Sequence, residues 1–209
     1  MNKFYIHPAQ VIDRPPDILT ISGDNDLDFT LQALKFYPKI KVECSGMDTL
    51  YESFWKTVKQ VGAKEFTQFF SSQGDTLAKL TYEQAMEVAN SKHSLSACMV
   101  YLLIQCSIDG TPYSPGVKIP KFLLYDSLKR LKKIAPLLER ITFSPSNHSE
   151  LYLCLNEFER DFGSRDKAIL SSSLEEATKN KKAAIVSNIE FRNSKRLSDH
   201  LGNEFYFNA

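Results

Sequence analysis

Two short β-favouring runs, each followed by a turn and a helical pattern, constrain the fold of this chain more than any other feature. The first run, at 18–21, stops at a turn cluster, 22–25, and the leucines at 27, 31 and 34 then have helical spacing. The same order of strand, turn and helix repeats over 40–61, where we expect Asp48 to cap the second helix. Strand, turn and helix repeated in this way are typical of a parallel α/β sheet, so we predict an α/β fold.

The middle of the chain has a different pattern. Residues 64–106 are helical in character, 107–121 form a loop rich in proline and glycine, and 123–138 return to helix. We therefore predict an α/β body formed by 1–63 and 139–209, interrupted by a helical insertion at 64–138, in a single compact unit. In the last part we expect strands at 140–144, 167–170, 183–187 and, at an edge of the sheet, 204–207, and helices at 150–160, 174–180 and 194–201.

Charge and composition limit the classes of function. The 26 basic and 25 acidic residues almost cancel, which disfavours a large nucleic-acid footprint but leaves room for a local basic stripe. The four cysteines and four histidines form no close pairs, so we expect reduced thiols and no metal site. No apolar run reaches the ~20 residues of a membrane span, and the first residues contain no apolar signal core. We expect a cytoplasmic protein.

The loops after the predicted strands are the candidate ligand site, because α/β sheets bind ligands where strands lead into helices. Gly23 and Asp24 follow the first strand, Glu43 lies near the end of the second, and Asn188 follows the buried strand at 183–187. Each has a simpler interpretation. Asp24 would cap a helix, Glu43 would be a solvated charge, and Asn188 would cap the following turn.

Catalytic residues are not evident in the sequence. The serines at 171–173 follow a predicted strand, but they lack the flanking glycines of a nucleophile elbow. They are better interpreted as the start of a helix whose first turn holds Glu175 and Glu176. We therefore assign no catalytic residue.

A basic cluster on the predicted helix at 123–138 is the strongest candidate for a contact with nucleic acid. Lys129, Arg130 and Lys133 share one helix face, and Leu128, Leu131, Ile134 and Ala135 form the opposite one. The cluster would either contact a phosphate backbone or be the solvated outer face of an amphipathic helix.

Taken in order, several stretches resemble the Dam-type adenine-specific DNA methyltransferases. Residues 21–25 are similar to that family's cofactor loop, and 41–45 with Leu50 and Tyr51 resemble its strand with a ribose-binding acid and the helix after it. The apolar helix at 97–104, the loop at 110–116 and the strand at 184–188 also have counterparts in the family. The resemblance implies a Rossmann-like methyltransferase-type sheet with a helical insertion. It also implies S-adenosylmethionine as the cofactor if one is bound, and Gly23, Asp24, Glu43 and Asn188 as its contacts. DNA contacts would come from the basic cluster and from the 107–121 loop through Tyr113.

Three departures bear on activity. The family's catalytic Asp-Pro-Pro-Tyr, expected between about 165 and 175, is replaced there by the three serines. The amino-terminal cofactor motif is absent, and the cofactor loop keeps one glycine. We therefore expect a degenerate, non-catalytic methyltransferase-like protein that binds nucleic acid or another protein. The alternatives are a divergent S-adenosylmethionine-dependent methyltransferase and an interaction protein unrelated to methylation.

Overall fold

A computed structural model describes residues 7–12, 14–92, 94–107, 111–114, 121–143, 151–156, 183–187, 195–198 and 204–208. The chain forms two compact units, one comprising 3–47 with 140–209 and the other comprising 48–139 with the first two residues. The first unit contains the sheet, and the second is helical. The α/β class is therefore confirmed, whereas the division into 1–63, 64–138 and 139–209 stays a prediction.

The sheet unit has seven strands in the order β3-β2-β1-β4-β5-β7-β6. Their bounds are β1 Ile18–Ser22, β2 Lys41–Ser45, β3 Ile141–Thr142, β4 Leu151–Asn156, β5 Ala183–Ser187, β6 Lys195–Ser198 and β7 Glu204–Asn208. β3, β2, β1, β4 and β5 are parallel to one another, and β7 runs antiparallel to both β5 and β6. A 3-10 helix, Pro8–Gln10, and helix α1, Asp28–Phe36, complete the described part of this unit.

One face of the sheet carries the core of this unit. Leu19 and Ile21 of β1 and Val42 of β2 are fully buried, as expected for central strands of a parallel sheet that is covered on its faces. α1 packs against the sheet at Cys44 of β2, since the Thr30 hydroxyl lies 3.8 Å from the Cys44 sulfur. The alternation of side chains along β1 and β2 places Thr20 and Glu43 away from Cys44, on the opposite face.

The helical unit contains α2 Thr49–Val61, α3 Ala63–Leu77, α4 Tyr82–Asn90, α5 Ser96–Cys106 and α6 Lys121–Leu138. α5 is apolar on all sides and is buried from Ser96 to Leu103, as predicted for its apolar segment. The Tyr101 ring packs against three phenylalanines, Phe54, Phe66 and Phe70. Hydrogen-bonding caps begin α2 at Asp48, as predicted, and α4 at Thr81.

Two of the predicted helices are wrong. Residues 151–156 form β4 rather than part of a helix at 150–160, and 195–198 form β6 rather than part of a helix at 194–201. β4 pairs with β1 on one side and with β5 on the other. Pairing with strands that are distant in the sequence overrides the local helix propensity of this segment. The predicted edge strand at 204–207 exists as β7, but β6 lies outside it at the edge.

Other differences from the predictions are smaller. Pro8–Gln10 form a short 3-10 helix, which is not among the predicted elements. β3 covers two residues of the predicted strand at 140–144. The predicted elements at 167–170 and 174–180, the serines at 171–173 and Asn188 lie outside the described residues.

Arg140 joins the returning chain to α1 and β2 of the sheet unit. Its guanidinium donates to the backbone carbonyls of Leu34 and Tyr37, at the end of α1, and of Ile40, just before β2, over 2.7–3.1 Å. Its own carbonyl accepts from the Val42 amide, which continues the ladder into β3. A cation at a helix carboxyl end also interacts favourably with the helix dipole. One side chain therefore joins α1, β2 and the segment that leads into β3.

Replacing Arg140 tests this role. We expect Arg140→Met to lower the free energy of unfolding by about 2 kcal/mol, because hydrogen bonds from a charged donor are removed and carbonyls are left unsatisfied. Arg140→Lys should fall between wild type and the methionine variant, since it keeps the charge but not the planar fork. Urea unfolding measures both. Arg130→Met, at an exposed position on α6, is the matched control, and an equal destabilisation there would contradict the assignment.

Candidate functional site

The order of strands defines one position at which a ligand can enter this sheet. The chain passes from β1 outward to β2 and β3, and then continues on the other side of β1 with β4 and β5. A crevice opens outside the carboxyl ends of the strands at such a reversal, which here lies between β1 and β4. The loop Gly23–Leu27, which we call the β1–α1 loop, leaves β1 at this crevice. β4 ends nearby at Asn156, two residues beyond the partner of Ser22.

The β1–α1 loop is held in a defined shape by its backbone. Gly23 has a φ of 84°, a conformation that favours glycine, and its amide donates to the carbonyl of Ser45 at the end of β2. Leu27 has a φ of 57°, which is uncommon for a leucine, and its buried side chain lies just before α1. A non-glycine residue in this region costs about 1 kcal/mol or more and persists only where its surroundings fix it.

Asp24 turns inward and caps α1. Its Oδ2 atom accepts from the Thr30 amide at 2.7 Å and from the Thr30 hydroxyl at 2.6 Å. Asp24 is 8% exposed and Thr30 is fully buried. The carboxyl group therefore satisfies a donor at the start of the helix and is shielded from solvent. Asp24 is therefore a helix cap, which is the simpler of its two interpretations from the sequence.

The surroundings of Asp24 favour its protonated form. Burial raises the pKa of Asp24 to about 6, with a smaller contribution from the nearby Asp28 carboxylate, although the hydrogen bonds from Thr30 partly oppose the rise. Burial, together with the negative charge of Asp24, likewise raises the pKa of the Cys44 thiol to about 12. Cys44 is therefore a neutral core thiol at neutral pH.

Glu43 occupies the middle of β2 rather than its exposed end. It is 8% exposed, pairs in register with Thr20 of β1 and Thr142 of β3, and shares a sheet face with both. Thr20 is 2% exposed, and its hydroxyl has no hydrogen-bond partner in the described part of the chain. Glu43 is therefore a buried acid in a polar row, which differs from the alternative of a solvated charge.

The structure brings three of the four predicted cofactor residues to the same part of the sheet. Gly23 and Asp24 follow β1, and Glu43 lies on the adjacent strand β2, but neither carboxyl group faces outward as an exposed side chain. Asn188 lies outside the described residues. The position of Asn156, at the carboxyl end of β4, was not predicted, because residues 150–160 were expected to be helical. The alternation of leucines at 151, 153 and 155 is the signal that could have indicated a strand.

The basic cluster lies on α6 as predicted. Lys129, Arg130 and Lys133 are exposed, as is Lys132, while Leu128 and Leu131 are almost fully buried. We call the four exposed residues the α6 basic face. Ile134 and Ala135, predicted to be buried, are half-buried. The helix is therefore amphipathic, with its positive charges directed to solvent.

Tyr113 makes two hydrogen bonds within the helical unit. Its hydroxyl donates to Asp48 Oδ2 at 2.6 Å, and its carbonyl accepts from the Tyr82 hydroxyl at 2.7 Å. The other oxygen of Asp48 caps α2 through the Leu50 amide. Burial and the Asp48 carboxylate raise the pKa of Tyr113 to about 12. The residue is 48% exposed, so it offers an aromatic surface, although its hydroxyl is already engaged by an acid.

Over the described residues, no group of three histidine, cysteine or acidic side chains is placed to hold a metal ion. No helix within those residues is both long enough and apolar enough to cross a membrane. Comparison of the chain with protein-family models gives no match, and comparison with curated proteins gives none either.

Gly46 tests how tightly the loops after β1 and β2 are packed together. Its φ of 59° is left-handed, and a Cβ atom placed there would collide with the Ser22 hydroxyl. We expect Gly46→Ala to lower the free energy of unfolding by about 2 kcal/mol, from backbone strain and this collision together. Thermal and urea unfolding would measure the change.

A double-mutant cycle separates the two causes. Ser22→Ala in the Gly46→Ala background should restore the part that is due to the collision, while Ser22→Ala alone should have a small effect. Strict additivity of the two changes would show that the loops do not pack in this way.

The buried carboxyl group of Asp24 predicts a specific pH dependence of stability. Because its folded pKa, about 6, exceeds its ordinary value, 3.8, the contribution is fully present below about pH 4 and is lost as the pH rises through 6. Wild type should therefore lose up to about 3 kcal/mol relative to Asp24→Asn between pH 4 and 7. Urea unfolding of both proteins across this range would measure it. Parallel pH profiles would contradict the assignment.

Proposed function

We propose that this protein is a methyltransferase-like α/β protein that binds nucleic acid through the α6 basic face and does not transfer methyl groups. The observation that carries the proposal is the exposure of Lys129, Arg130, Lys132 and Lys133 on a helix whose opposite face is buried. In a chain of almost balanced charge, four exposed cations within five residues are a local concentration of positive charge. Such concentrations bind phosphate backbones by releasing counterions.

The sheet topology supports the methyltransferase-type, Rossmann-like part of the proposal. Parallel strands whose order reverses at β1, with α1 between β1 and β2, are the arrangement that binds nucleotide-type ligands at the switch point. The helical unit follows β2 and precedes β3 in the chain. The resembling family has its recognition insertion between its cofactor strands and its catalytic strand, which is the corresponding place.

The described residues fit S-adenosylmethionine poorly. Asp24 is committed to Thr30, and Glu43 is 8% exposed, so neither acid is presented to a cofactor in this arrangement. Gly23 remains as the single glycine of the β1–α1 loop. This geometry supports loss of the reaction.

The residues that follow β4 also support the loss of methyl transfer. β4 neighbours β1 at the switch point, and the residues that follow it in the sequence are Glu157, Phe158 and Glu159. The family's tetrapeptide provides two prolines and an aromatic ring to hold a flipped adenine. Neither this stretch nor the serines at 171–173 contain a proline.

Charge reversal on α6 tests the proposed nucleic-acid surface. The triple variant Lys129→Glu, Arg130→Glu and Lys133→Glu should bind a short DNA duplex about tenfold more weakly or worse, because three cations that neutralise phosphates become acids. Fluorescence anisotropy between about 50 and 200 mM salt would also show a shallower salt dependence. The logarithmic slope should decrease by about 0.9 for each phosphate that the variant no longer neutralises.

The matched control replaces three exposed lysines of the sheet unit with glutamate, and so changes the net charge by the same amount. These lysines are Lys35, Lys39 and Lys41. This control should retain most of the affinity. Equal weakening in the two triple variants would assign the effect to net charge and contradict a site on α6. Absence of any duplex binding by wild type at low salt would refute the nucleic-acid proposal.

The alternative of a divergent methyltransferase is favoured by one feature, the switch-point crevice itself. Calorimetry with S-adenosylmethionine tests it directly. Binding with a dissociation constant below about 1 mM, abolished by a bulky substitution at Gly23, would support the alternative over a non-catalytic fold. We expect no heat of binding.

A further inference from the structure

The β1–α1 loop is closed by a carboxyl group in an unusual environment. Asp24 is almost fully buried, and the Thr30 amide and hydroxyl both donate to its Oδ2 atom, while the Phe29 amide is a further donor to the carboxyl group. In addition, the carbonyl of Asp24 accepts from the Leu27 amide at 3.2 Å. The loop and the first turn of α1 are thus held together around one acidic residue.

The charged and titratable groups that face this carboxyl group do not compensate it. On α1 the facing group is Asp28, a like charge, and on β2 it is the neutral thiol of Cys44. Within the described residues, no lysine, arginine or histidine pairs with Asp24. A buried carboxylate that lacks a cation is costly, and the hydrogen bonds from Thr30 and Phe29, with the start of a helix, offset only part of that cost.

We propose that Asp24 and Thr30 form a proton-sensitive latch, which holds the β1–α1 loop closed when Asp24 is protonated and lets it open more often when Asp24 is ionised. Opening lets water solvate the carboxylate, so the ionised form gains more from the open loop than the neutral form does. The loop borders the switch-point crevice, and the latch therefore controls access to that crevice. This inference does not depend on whether nucleic acid binds to α6.

The direction of the effect follows from linkage. Asp24 binds its proton more tightly in the closed loop, where its pKa is about 6, than in an open loop, where the ordinary value of 3.8 applies. The equilibrium constant for opening should consequently rise with pH, by about tenfold between pH 5 and 7.5, and level off above that.

Amide hydrogen exchange resolved by residue tests the latch in the full chain. The amides of Thr30 and Leu27 report on the loop, and the Tyr37 amide, which donates to Ala33 at the other end of α1, is the internal reference. After correction for the intrinsic pH dependence of exchange, the opening constant at Thr30 and Leu27 should rise about tenfold between pH 5 and 7.5, relative to Tyr37.

Three variants make the test specific. Asp24→Asn, which keeps an acceptor oxygen but cannot ionise, should remove the pH dependence. Thr30→Val, which removes one bond that favours the ionised form, should move the midpoint to higher pH. Asp48→Asn, the same change at the cap of α2, should leave the loop as in wild type.

Direct titration makes the test independent of any variant. The carboxyl carbon resonance of Asp24 in wild type should titrate with a midpoint near 6. A midpoint near the ordinary value of 3.8, or a pH-dependent opening that persists in Asp24→Asn, would overturn the proposal.

Discussion

The pairing of β1 with β2 on one side and with β4 on the other determines where this protein can hold a ligand. Because all three strands are parallel, their carboxyl ends meet at one edge of the sheet, and a reversal of strand order at that edge is where α/β sheets typically bind ligands. Arg140 supports this arrangement by joining the end of α1 to the segments that lead into β2 and β3. Without that pairing, neither the β1–α1 loop nor Asn156 would lie near the crevice.

Within this framework, polar groups that could have served a ligand are used by the fold. Asp24 satisfies the start of α1, the Ser45 carbonyl accepts from the Gly23 amide, and Glu43 is enclosed in the middle of β2. The cations on α6 are directed to solvent. Structural use of the acids in the sheet unit, together with a basic face in the helical unit, is the physical basis for proposing binding without methyl transfer.

How much could be predicted from the sequence depended on whether the signal was local. The Asp48 cap of α2 and the buried face of α6 at Leu128 and Leu131 follow from residue spacing, and the structure confirms both. β4 was missed although the leucines at 151, 153 and 155 alternate, and β6 was missed because its strand character depends on its antiparallel pairing with β7 rather than on its own residues. The capping contacts of Asp24 with Thr30 match one of the two interpretations of the sequence, whereas the left-handed backbone of Leu27 was not predicted, because nothing in a leucine's identity indicates it.

The location of the nucleic-acid surface is the central claim, and mapping a bound duplex onto the protein by amide chemical shifts tests it most directly. On titration with a short DNA duplex at low salt, we expect the changes to be concentrated at Lys129, Arg130, Lys132 and Lys133, and to diminish as salt is added. Changes concentrated instead in the β1–α1 loop and at the end of β4, with α6 unaffected, would contradict the claim.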